Sequence, residues 1–104
     1  MNVTFDNNIP IYLQVLEYIK IYIMSGVFKC GEKLPSVREF SNSFKVNPNT
    51  MQKALAELES LNLIYTERTN GKYVTKDVKV VEKLKDEYAL TLAKSYFEGI
   101  RELD

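Results

Sequence analysis

The sequence predicts a mainly α fold with a small β-hairpin and a long helix in its C-terminal part. Three observations support this fold class. Apolar residues recur at helical spacing in four stretches of the 104-residue chain. Capping residues mark the starts of two short helices near its middle. The pair Asn70-Gly71, which favours a tight turn, separates two short β-prone runs.

The first helix is predicted to run from Ile9 to about Ser25, after an irregular polar arm at residues 1–8. Its apolar stripe consists of Tyr12, Val15, Leu16, Ile19, Tyr22 and Ile23. Leu13, Tyr18 and Ile21 are apolar as well, so only a narrow side of the helix is polar. We therefore expect this helix to contact something besides its own core. The helical spacing of its tyrosines indicates packing rather than stacking on nucleic-acid bases.

The second helix is predicted to begin after Ser36. The Ser36 side chain can cap the helix, and Glu39 three residues later completes a capping box. Val37, Phe40 and Phe44 follow at helical spacing and give this helix one apolar face, with both phenylalanines in the core.

The third helix follows a turn at residues 45–47. Asn47 is a typical N-cap, and Pro48 suits the first helical position, where its missing N–H costs nothing. The predicted inner face consists of Met51, Ala54, Leu55, Leu58 and Leu61. The polar residues on or beside the outer face are Asn49, Thr50, Gln52 and Lys53. Two short helices joined in this way are typical of a helix-turn-helix, whose second helix reads the major groove of DNA.

A hairpin is predicted after the third helix. Asn62 takes the left-handed position beyond the helix end, residues 63–68 form a strand, residues 69–71 a turn and residues 72–75 the return strand. Lys33-Leu34 is a candidate for a further short strand. Three helices followed by a hairpin are the order of a winged helix-turn-helix, with the hairpin as its wing. We therefore predict a DNA-binding domain at residues 1–76 and a helical dimerisation segment at residues 77–104.

The last helix carries an apolar stripe with spacings of three and four residues: Val81, Leu84, Tyr88, Leu92, Tyr96, Ile100 and Leu103. Ala89, Ala93 and Phe97 widen it. A terminal helix with this much apolar surface needs a partner, and a second copy of the chain is the simplest one. Tyr88, Leu92, Tyr96 and Ile100 are accordingly the predicted dimer contacts.

Charge is unevenly distributed, although the net charge is zero. Residues 29–55 hold five basic and two acidic residues, and residues 67–85 hold six and three, so each range carries net +3. Residues 86–104 hold two basic and five acidic residues, or net −3. The zero net charge argues weakly against a nucleic-acid-binding protein, but the distribution of charge matters more than its sum. The positive charge lies on the predicted two-helix unit and on the stretch that follows it.

Catalysis is not expected. The chain has no histidine, a single cysteine and no glycine loop that cradles phosphate. Glu57 and Glu59 point in different helical directions and are expected to be solvated. No cofactor or metal is predicted. No signal peptide or apolar run of about 20 residues is present, so we expect a cytoplasmic protein without a membrane partner.

The chain resembles the GntR family of bacterial transcription regulators, and within it the short YtrA-like branch. The residues that carry the resemblance are Pro10–Gln14, Ser25-Gly26, Gly31–Glu39, Val46–Gln52, Leu55, Leu58, Leu63-Ile64 and the Gly71 hairpin. It covers roughly residues 9–75, and the Leu-Pro-Ser-x-Arg-Glu and Val-Asn-Pro-Asn-Thr signatures are specific. The resemblance implies a winged helix that binds a palindromic double-stranded operator as a homodimer, usually to repress.

Resemblance and geometry together suggest which residues touch DNA. Arg38 would reach a guanine edge or a phosphate; the alternative is a surface arginine paired with Glu39 or another carboxylate. The proposed groove readers are Asn49, Thr50 and Gln52, against the alternative of a solvated helix face. Asn47 and Ser36 are caps first and phosphate contacts second. Lys53 would meet phosphate or serve solubility.

The wing tip would bring Asn70, Gly71 and Lys72 to the minor groove or the backbone, although Gly71 is explained by turn geometry alone. A winged-helix protein-interaction module without sequence-specific DNA binding is the competing function, favoured by the neutral net charge. The sequence does not identify an effector, and about 100 residues leave no room for a separate effector domain. Any small-molecule control would then act on the dimer interface or the arm.

Overall fold

A computed structural model describes residues 3–102, which form four helices and one two-stranded antiparallel hairpin. The elements follow the order α1 (Ile11–Met24), α2 (Val37–Phe44), α3 (Pro48–Ser60), β1 (Ile64–Glu67), β2 (Gly71–Val74) and α4 (Val78–Glu102). The predicted mainly α fold with its winged helix-turn-helix is thus confirmed. Met1 and Asn2 of the predicted arm and Leu103 of the predicted stripe lie outside the described residues. None of the helices in residues 3–102 is long and apolar enough to cross a membrane.

Aromatic rings fill the core where α1 and α2 meet. Phe40 packs edge-on against Phe28 and Phe44, with ring centroids 5.6 and 5.7 Å apart. Tyr18 and Tyr22 of α1 meet Phe44 in the same geometry, at 6.2 and 6.4 Å. Edge-to-face pairs of this kind stabilise a core beyond the apolar area they bury. These two tyrosines therefore pack as predicted.

The first helix begins at Ile11, two residues later than predicted. Pro10 is its N-cap, with an extended ψ of 130°, and a proline also disfavours helical geometry in the residue before it. The preceding arm is irregular, as predicted, but it is anchored. Its Thr4 N–H donates to the Tyr18 hydroxyl at 3.1 Å, and that hydroxyl donates back to the Thr4 carbonyl at 2.9 Å.

Local capping fixes the starts of α2 and α3. The Ser36 hydroxyl accepts from the Glu39 N–H at 3.1 Å, and the Glu39 carboxylate accepts from the Ser36 N–H at 3.4 Å, which completes the predicted capping box. Lys45 ends α2 in the left-handed conformation, with φ of 56°. The Asn47 side chain then accepts from the Asn49 N–H at 2.8 Å, and a proline follows it at the first helical position. The predicted turn between the two helices is confirmed.

The prediction that Leu61 lines the inner face of α3 is wrong. Leu61 is the C-cap and is 46% exposed. Asn62 adopts φ of 62°, as predicted, and its N–H donates to the Glu59 carbonyl at 3.0 Å. The Leu63 N–H donates to the Leu58 carbonyl at 3.0 Å. Because this left-handed cap reverses the chain, Leu63 enters the core in place of Leu61.

Asn62→Ala is expected to lower the free energy of unfolding by about 1 kcal/mol, because a Cβ is strained at a left-handed position and alanine lacks the polar side chain that tolerates it. Urea denaturation measures the change. Asn62→Gly is the matched control and should leave the denaturation midpoint unchanged or raise it. Equal midpoints for the alanine variant and the wild type would contradict this account of the cap.

The hairpin forms as predicted, but its first strand is shorter than predicted and its loop and return strand begin one residue earlier. Ile64 pairs with Val74 and Glu67 pairs with Gly71, so residues 68–70 form the connection instead of residues 69–71. Ile64 and Val74 are both buried. The Asn70 N–H donates to the Glu67 carbonyl at 3.2 Å, and Gly71 supplies the positive φ of 110° that closes the turn, so Gly71 begins β2 instead of ending the loop. The predicted strand at Lys33-Leu34 is observed as one isolated bridge to β2.

The last helix belongs to the core only at its start. Val81 is 5% exposed and Leu84 is half-buried against the core. From residue 85 to residue 101 every side chain is exposed. The predicted dimer contacts Tyr88, Leu92, Tyr96 and Ile100 all lie in this exposed part.

Candidate nucleic-acid interface

One side of the first half of α3 is polar and open. Asn49, Gln52 and Lys53 are exposed, whereas Met51 and Ala54 on the opposite side are 0% exposed. The helical period of 3.6 residues aligns the three exposed positions in one row. This surface, the reading face, presents amide and ammonium groups at the end of α3 that follows the turn. Such groups can hydrogen-bond base edges and phosphates.

Two residues assigned to this site, Asn47 and Thr50, are less available for contact with DNA than the exposed three. Thr50 is half-buried beside the reading face, unlike its exposed neighbours. Asn47 is exposed, but its side-chain oxygen already accepts the Asn49 N–H, which agrees with capping as its primary role. The cap therefore orients the start of the reading face.

Lys53 lies on the reading face and also contacts α1. Its ammonium lies 3.9 Å from the centre of the Tyr12 ring, in cation–π geometry. This contact joins two helices and was not predicted, because no local sequence pattern relates the two residues. It restricts where the Lys53 charge can lie on the surface.

Arg38 occupies the first turn of α2 and is exposed. Within residues 3–102 it forms no ion pair, since the Glu39 carboxylate is used by the capping box. The alternative of an Arg38–Glu39 pair is therefore not observed. The Ser36 hydroxyl is engaged in the same box, as its predicted capping role requires.

A groove of about 640 Å³ separates the start of α2 from the wing. Its lining includes Lys33, Ser36, Asn70, Gly71 and Lys72. Gly71 adopts φ of 110°, so its turn geometry alone requires glycine. Asn70 is exposed, and its side-chain amide donates to the Glu67 carboxylate at 3.4 Å. The structure thus brings Ser36 and the three predicted wing residues to one groove.

Lys72 differs from the other wing residues because its side chain is turned toward α3. Its ammonium donates to the Thr66 hydroxyl at 2.9 Å and lies 3.6 Å from the Glu59 carboxylate. The Thr66 hydroxyl in turn donates to Glu59 at 2.7 Å. We call Glu59, Thr66 and Lys72 the wing clamp. Only 27% of the Lys72 side chain is exposed.

The wing clamp corrects the expectation that Glu59 is merely solvated. Donation by the Thr66 hydroxyl lowers the pKa of the Glu59 carboxyl below its ordinary value, partial desolvation opposes the shift, and the Lys72 charge lowers the pKa further. Glu57, two residues earlier in α3, is exposed as predicted. Glu59 is therefore ionised, with its carboxylate bonded to the wing, at neutral pH.

A lowered pKa in the folded state has a defined effect on stability. The stabilisation by Glu59 is complete above its unfolded pKa of about 4.5 and is lost as pH falls through the lower folded value. We therefore expect Glu59→Gln to lower the thermal midpoint at pH 7, with the difference from wild type shrinking under acidic conditions. Thermal denaturation of both proteins across pH measures this. A difference that does not change between pH 7 and strongly acidic conditions would contradict it.

Two residues of this surface were not predicted. Lys33 is exposed, and its Cε lies 3.5 Å from the position of a Cβ at Gly71, so its chain follows the wing groove. Ala56 is exposed four residues after Gln52 and extends the reading face. A small apolar side chain there could contact a thymine methyl. The available signals were a lysine beside the predicted short strand and simple helical spacing.

No group of three or more histidine, cysteine, aspartate or glutamate side chains in residues 3–102 is arranged to hold a metal ion. The predicted site residues on α2, α3 and the wing carry amides, hydroxyls and cations, which can hydrogen-bond to an anionic polymer.

Comparison with known proteins identifies the family to which this chain belongs. Residues 11–74 match the family described as bacterial regulatory proteins, gntR family. The HTH-type transcriptional repressor YtrA of Bacillus subtilis is 43% identical over 70 residues, which are 67% of this chain and 54% of YtrA. The chain therefore spans about half the length of that relative.

Solved structures share the fold. A GntR family transcriptional regulator from Listeria monocytogenes aligns with a TM-score of 0.90 and 41% identity, over 95% of this chain and 87% of that chain. AraR(DBD), solved in complex with operator ORR3, aligns with a TM-score of 0.62 and 31% identity, over 72% of this chain and 88% of that chain. The relatives are regulators rather than enzymes, in agreement with the sequence. The chain is a member of the GntR family of transcription regulators, of the YtrA-like branch.

Proposed function

We propose that this protein is a cytoplasmic homodimeric repressor that binds a palindromic operator, with α3 in the major groove. The observation that carries the proposal is the open reading face of α3. Asn49 and Gln52 can each bond an adenine edge in two places, and both are exposed above a fully buried opposite side. Ala56 would extend the row of base contacts.

Cations around the reading face would contact the phosphates. Lys33 before α2, Arg38 in its first turn and Lys45 at its C-cap are all exposed. The wing groove between Lys33 and Asn70 would hold one sugar–phosphate strand. The local net charge of +3 in residues 29–55 supports this arrangement although the whole chain is neutral.

The second copy would dock on α4. Leu92 and Tyr96 are 56% and 67% exposed, an unusual state for large apolar residues on one helical stripe. A groove of about 300 Å³ between α1 and α4 continues this surface, and its lining includes Ile21, Met24 and Leu92. The apolar outer side of α1, which the sequence predicts to contact something besides the core, would therefore join the dimer interface.

A two-fold dimer sets the geometry of the site on DNA. Two copies of α3 would enter successive major grooves on one side of the duplex, about 34 Å apart. Operator palindromy mirrors that protein symmetry. Repression and operator binding, which the names of YtrA and the AraR complex state for those proteins, support the same functions here.

Selection of duplexes by the purified full chain from a random pool, followed by sequencing, tests the proposal. We expect one enriched inverted repeat with half-sites centred about 10 base pairs apart. Absence of any enriched sequence would contradict the proposal. Enrichment of a single half-site without its inverted copy would contradict the dimeric arrangement.

Salt dependence separates this proposal from a protein-interaction module. Neutralising several phosphates makes affinity fall steeply with salt concentration, with a slope proportional to the number of contacts. We expect this for both the selected duplex and an unrelated duplex of the same length. A protein-interaction module would bind neither duplex with a measurable affinity.

Gln52→Ala is expected to weaken binding to the selected duplex about fivefold, because one adenine contact of the reading face is lost. Affinity for the unrelated duplex should stay the same, since Gln52 carries no charge. Fluorescence anisotropy with both duplexes measures the two values. An equal loss on both duplexes would show that Gln52 does not read sequence.

A further inference from the structure

We propose that Glu59 is a positioning residue that fixes the wing on α3 through Thr66 and Lys72. Lys72 then serves to orient the wing, and Lys33 replaces it as the cation that meets phosphate at the wing groove. The part of this inference that concerns DNA binding rests on the proposed function. The contacts of the wing clamp, by contrast, exist in the protein without DNA.

The alternation of side chains along β2 determines the face of the hairpin on which Lys72 lies. Thr66 pairs with Lys72 across the hairpin, and the next pair on the same face toward the root is Ile64 with Val74. Side chains alternate between the two faces of a strand. Ile64 and Val74 are 2% and 0% exposed, so Thr66 and Lys72 lie on the side of the hairpin that packs on the domain.

The three clamp residues form a closed set of contacts. Glu59 accepts from the Thr66 hydroxyl at 2.7 Å, Thr66 accepts from the Lys72 ammonium at 2.9 Å, and the two charges lie 3.6 Å apart. Glu59 comes from the last turn of α3, and its partners come one from each strand of the wing. The set therefore joins the reading helix to both strands at once.

The clamp joins the wing to α3 at the level of the outermost backbone attachment of the hairpin. At the root, the Thr75 N–H donates to the Leu63 carbonyl at 2.9 Å. At the level of the clamp, the Leu34 N–H donates to the Lys72 carbonyl at 2.9 Å, which ties β2 to the segment before α2 rather than to α3. Beyond the clamp, the pair Glu67 and Gly71 lies on the opposite face and leads into the loop. The Glu59 contact is thus placed to set the angle between the wing tip and α3.

Lys33 is placed to present a positive charge to phosphate, whereas Lys72 directs its charge toward Glu59. Lys33 is exposed and, within residues 3–102, it forms no ion pair, whereas the ammonium of Lys72 lies 3.6 Å from the Glu59 carboxylate. The two lysines line the same groove. They therefore form a matched pair in which one cation faces the protein and the other faces the proposed DNA strand.

The first test compares the salt dependence of Lys72→Met and Lys33→Met on the selected duplex. Each phosphate contact contributes about 0.9 to the slope of log affinity against log salt. We expect Lys33→Met to reduce the slope by about 0.9 and Lys72→Met to leave it unchanged. Lys72→Met should still weaken affinity roughly threefold through the displaced wing, and Lys72→Arg should restore it. A slope reduced by Lys72→Met and unaffected by Lys33→Met would overturn the inference.

The second test needs no DNA. Amide hydrogen exchange in the free full-length chain should become roughly three- to tenfold faster in the wing of Glu59→Gln, with no change in α1. Glu57→Gln is the matched control, since it removes the same charge from the same helix at an exposed position, and it should leave exchange unchanged. Equal exchange in the wings of Glu59→Gln and wild type would overturn the inference.

The two tests also separate this inference from the proposed function. If neither duplex binds wild-type protein, the proposed function fails, while the exchange experiment still decides whether the clamp holds the wing. If wild type binds and Glu59→Gln binds more tightly with a steeper slope, Glu59 acts by withholding Lys72 from phosphate. That result would overturn the positioning role.

Discussion

Replacing Arg38 with alanine is expected to weaken binding to the selected operator about 5- to 150-fold while the fold persists. A bidentate contact from arginine to guanine contributes about 1–3 kcal/mol of discrimination, and the side chain also carries charge toward the DNA. The fold should persist because Arg38 is exposed and has no ion-pair partner within residues 3–102. Fluorescence anisotropy gives the affinity, and circular dichroism with a thermal scan verifies the fold.

Two further variants determine what Arg38 does. Arg38→Lys keeps the charge and loses the planar fork of donors, so it should lose discrimination between bases while keeping the salt dependence of wild type. Lys94→Ala removes an exposed cation from α4, far along the chain from α2, and should leave operator affinity unchanged. If Arg38→Ala binds the operator as tightly as wild type, the proposed position of α2 on the DNA is wrong.

Local signals made the helix-turn-helix predictable from the sequence. The capping box of Ser36 and Glu39 involves residues three apart, and the cap at Asn47 acts two residues ahead. Interactions of such short range depend little on tertiary structure. The same holds for the left-handed Asn62, whose conformation was predicted. The exposure of Leu61 beside it was not predicted, because it depends on where the reversed chain meets the core.

The errors at the site arise from long-range geometry. Lys72 lies two residues from the buried Val74 and so shares its face, but the partners Thr66 and Glu59 come from other elements that no local pattern relates to it. The Lys53–Tyr12 contact joins residues 41 positions apart on different helices. Exposure could be inferred from helical spacing, but the partner of each exposed cation could not. The reading face was therefore predictable as a surface, whereas the wing clamp was not.

The DNA-binding domain does not explain why the apolar stripe of α4 is exposed to solvent. Tyr88 and Leu92 continue the stripe after Val81 and Leu84, which pack on the core, yet they remain 38% and 56% exposed. Water contact over that much apolar surface is unfavourable, at about 25 cal/mol per Å². A second copy would cover the stripe and would present a second reading face in the orientation that a palindrome needs. The proposed dimer and the proposed palindromic operator therefore depend on the same helix.

Leu92→Asp is accordingly expected to dissociate the dimer. In a two-fold interface each copy contributes the same residue, so the substitution introduces two carboxylates into one apolar surface. A central apolar contact of this kind is worth about 2 kcal/mol or more, which corresponds to roughly a 30-fold or larger rise in the dimer dissociation constant. Sedimentation velocity over a concentration series measures that constant, and operator affinity should fall with it because one half-site is left unbound.

Leu90→Asp is the matched control for this prediction. Leu90 and Leu92 have the same side chain on the same helix and are 59% and 56% exposed, but a spacing of two residues places them on nearly opposite sides of α4. The two variants therefore alter charge, helix propensity and hydropathy equally, and only the side of the helix differs. A dimer lost in Leu92→Asp and kept in Leu90→Asp would locate the interface on the predicted stripe. Equal sedimentation of both variants with wild type would exclude that interface, and the half-site spacing inferred from it would have no structural basis.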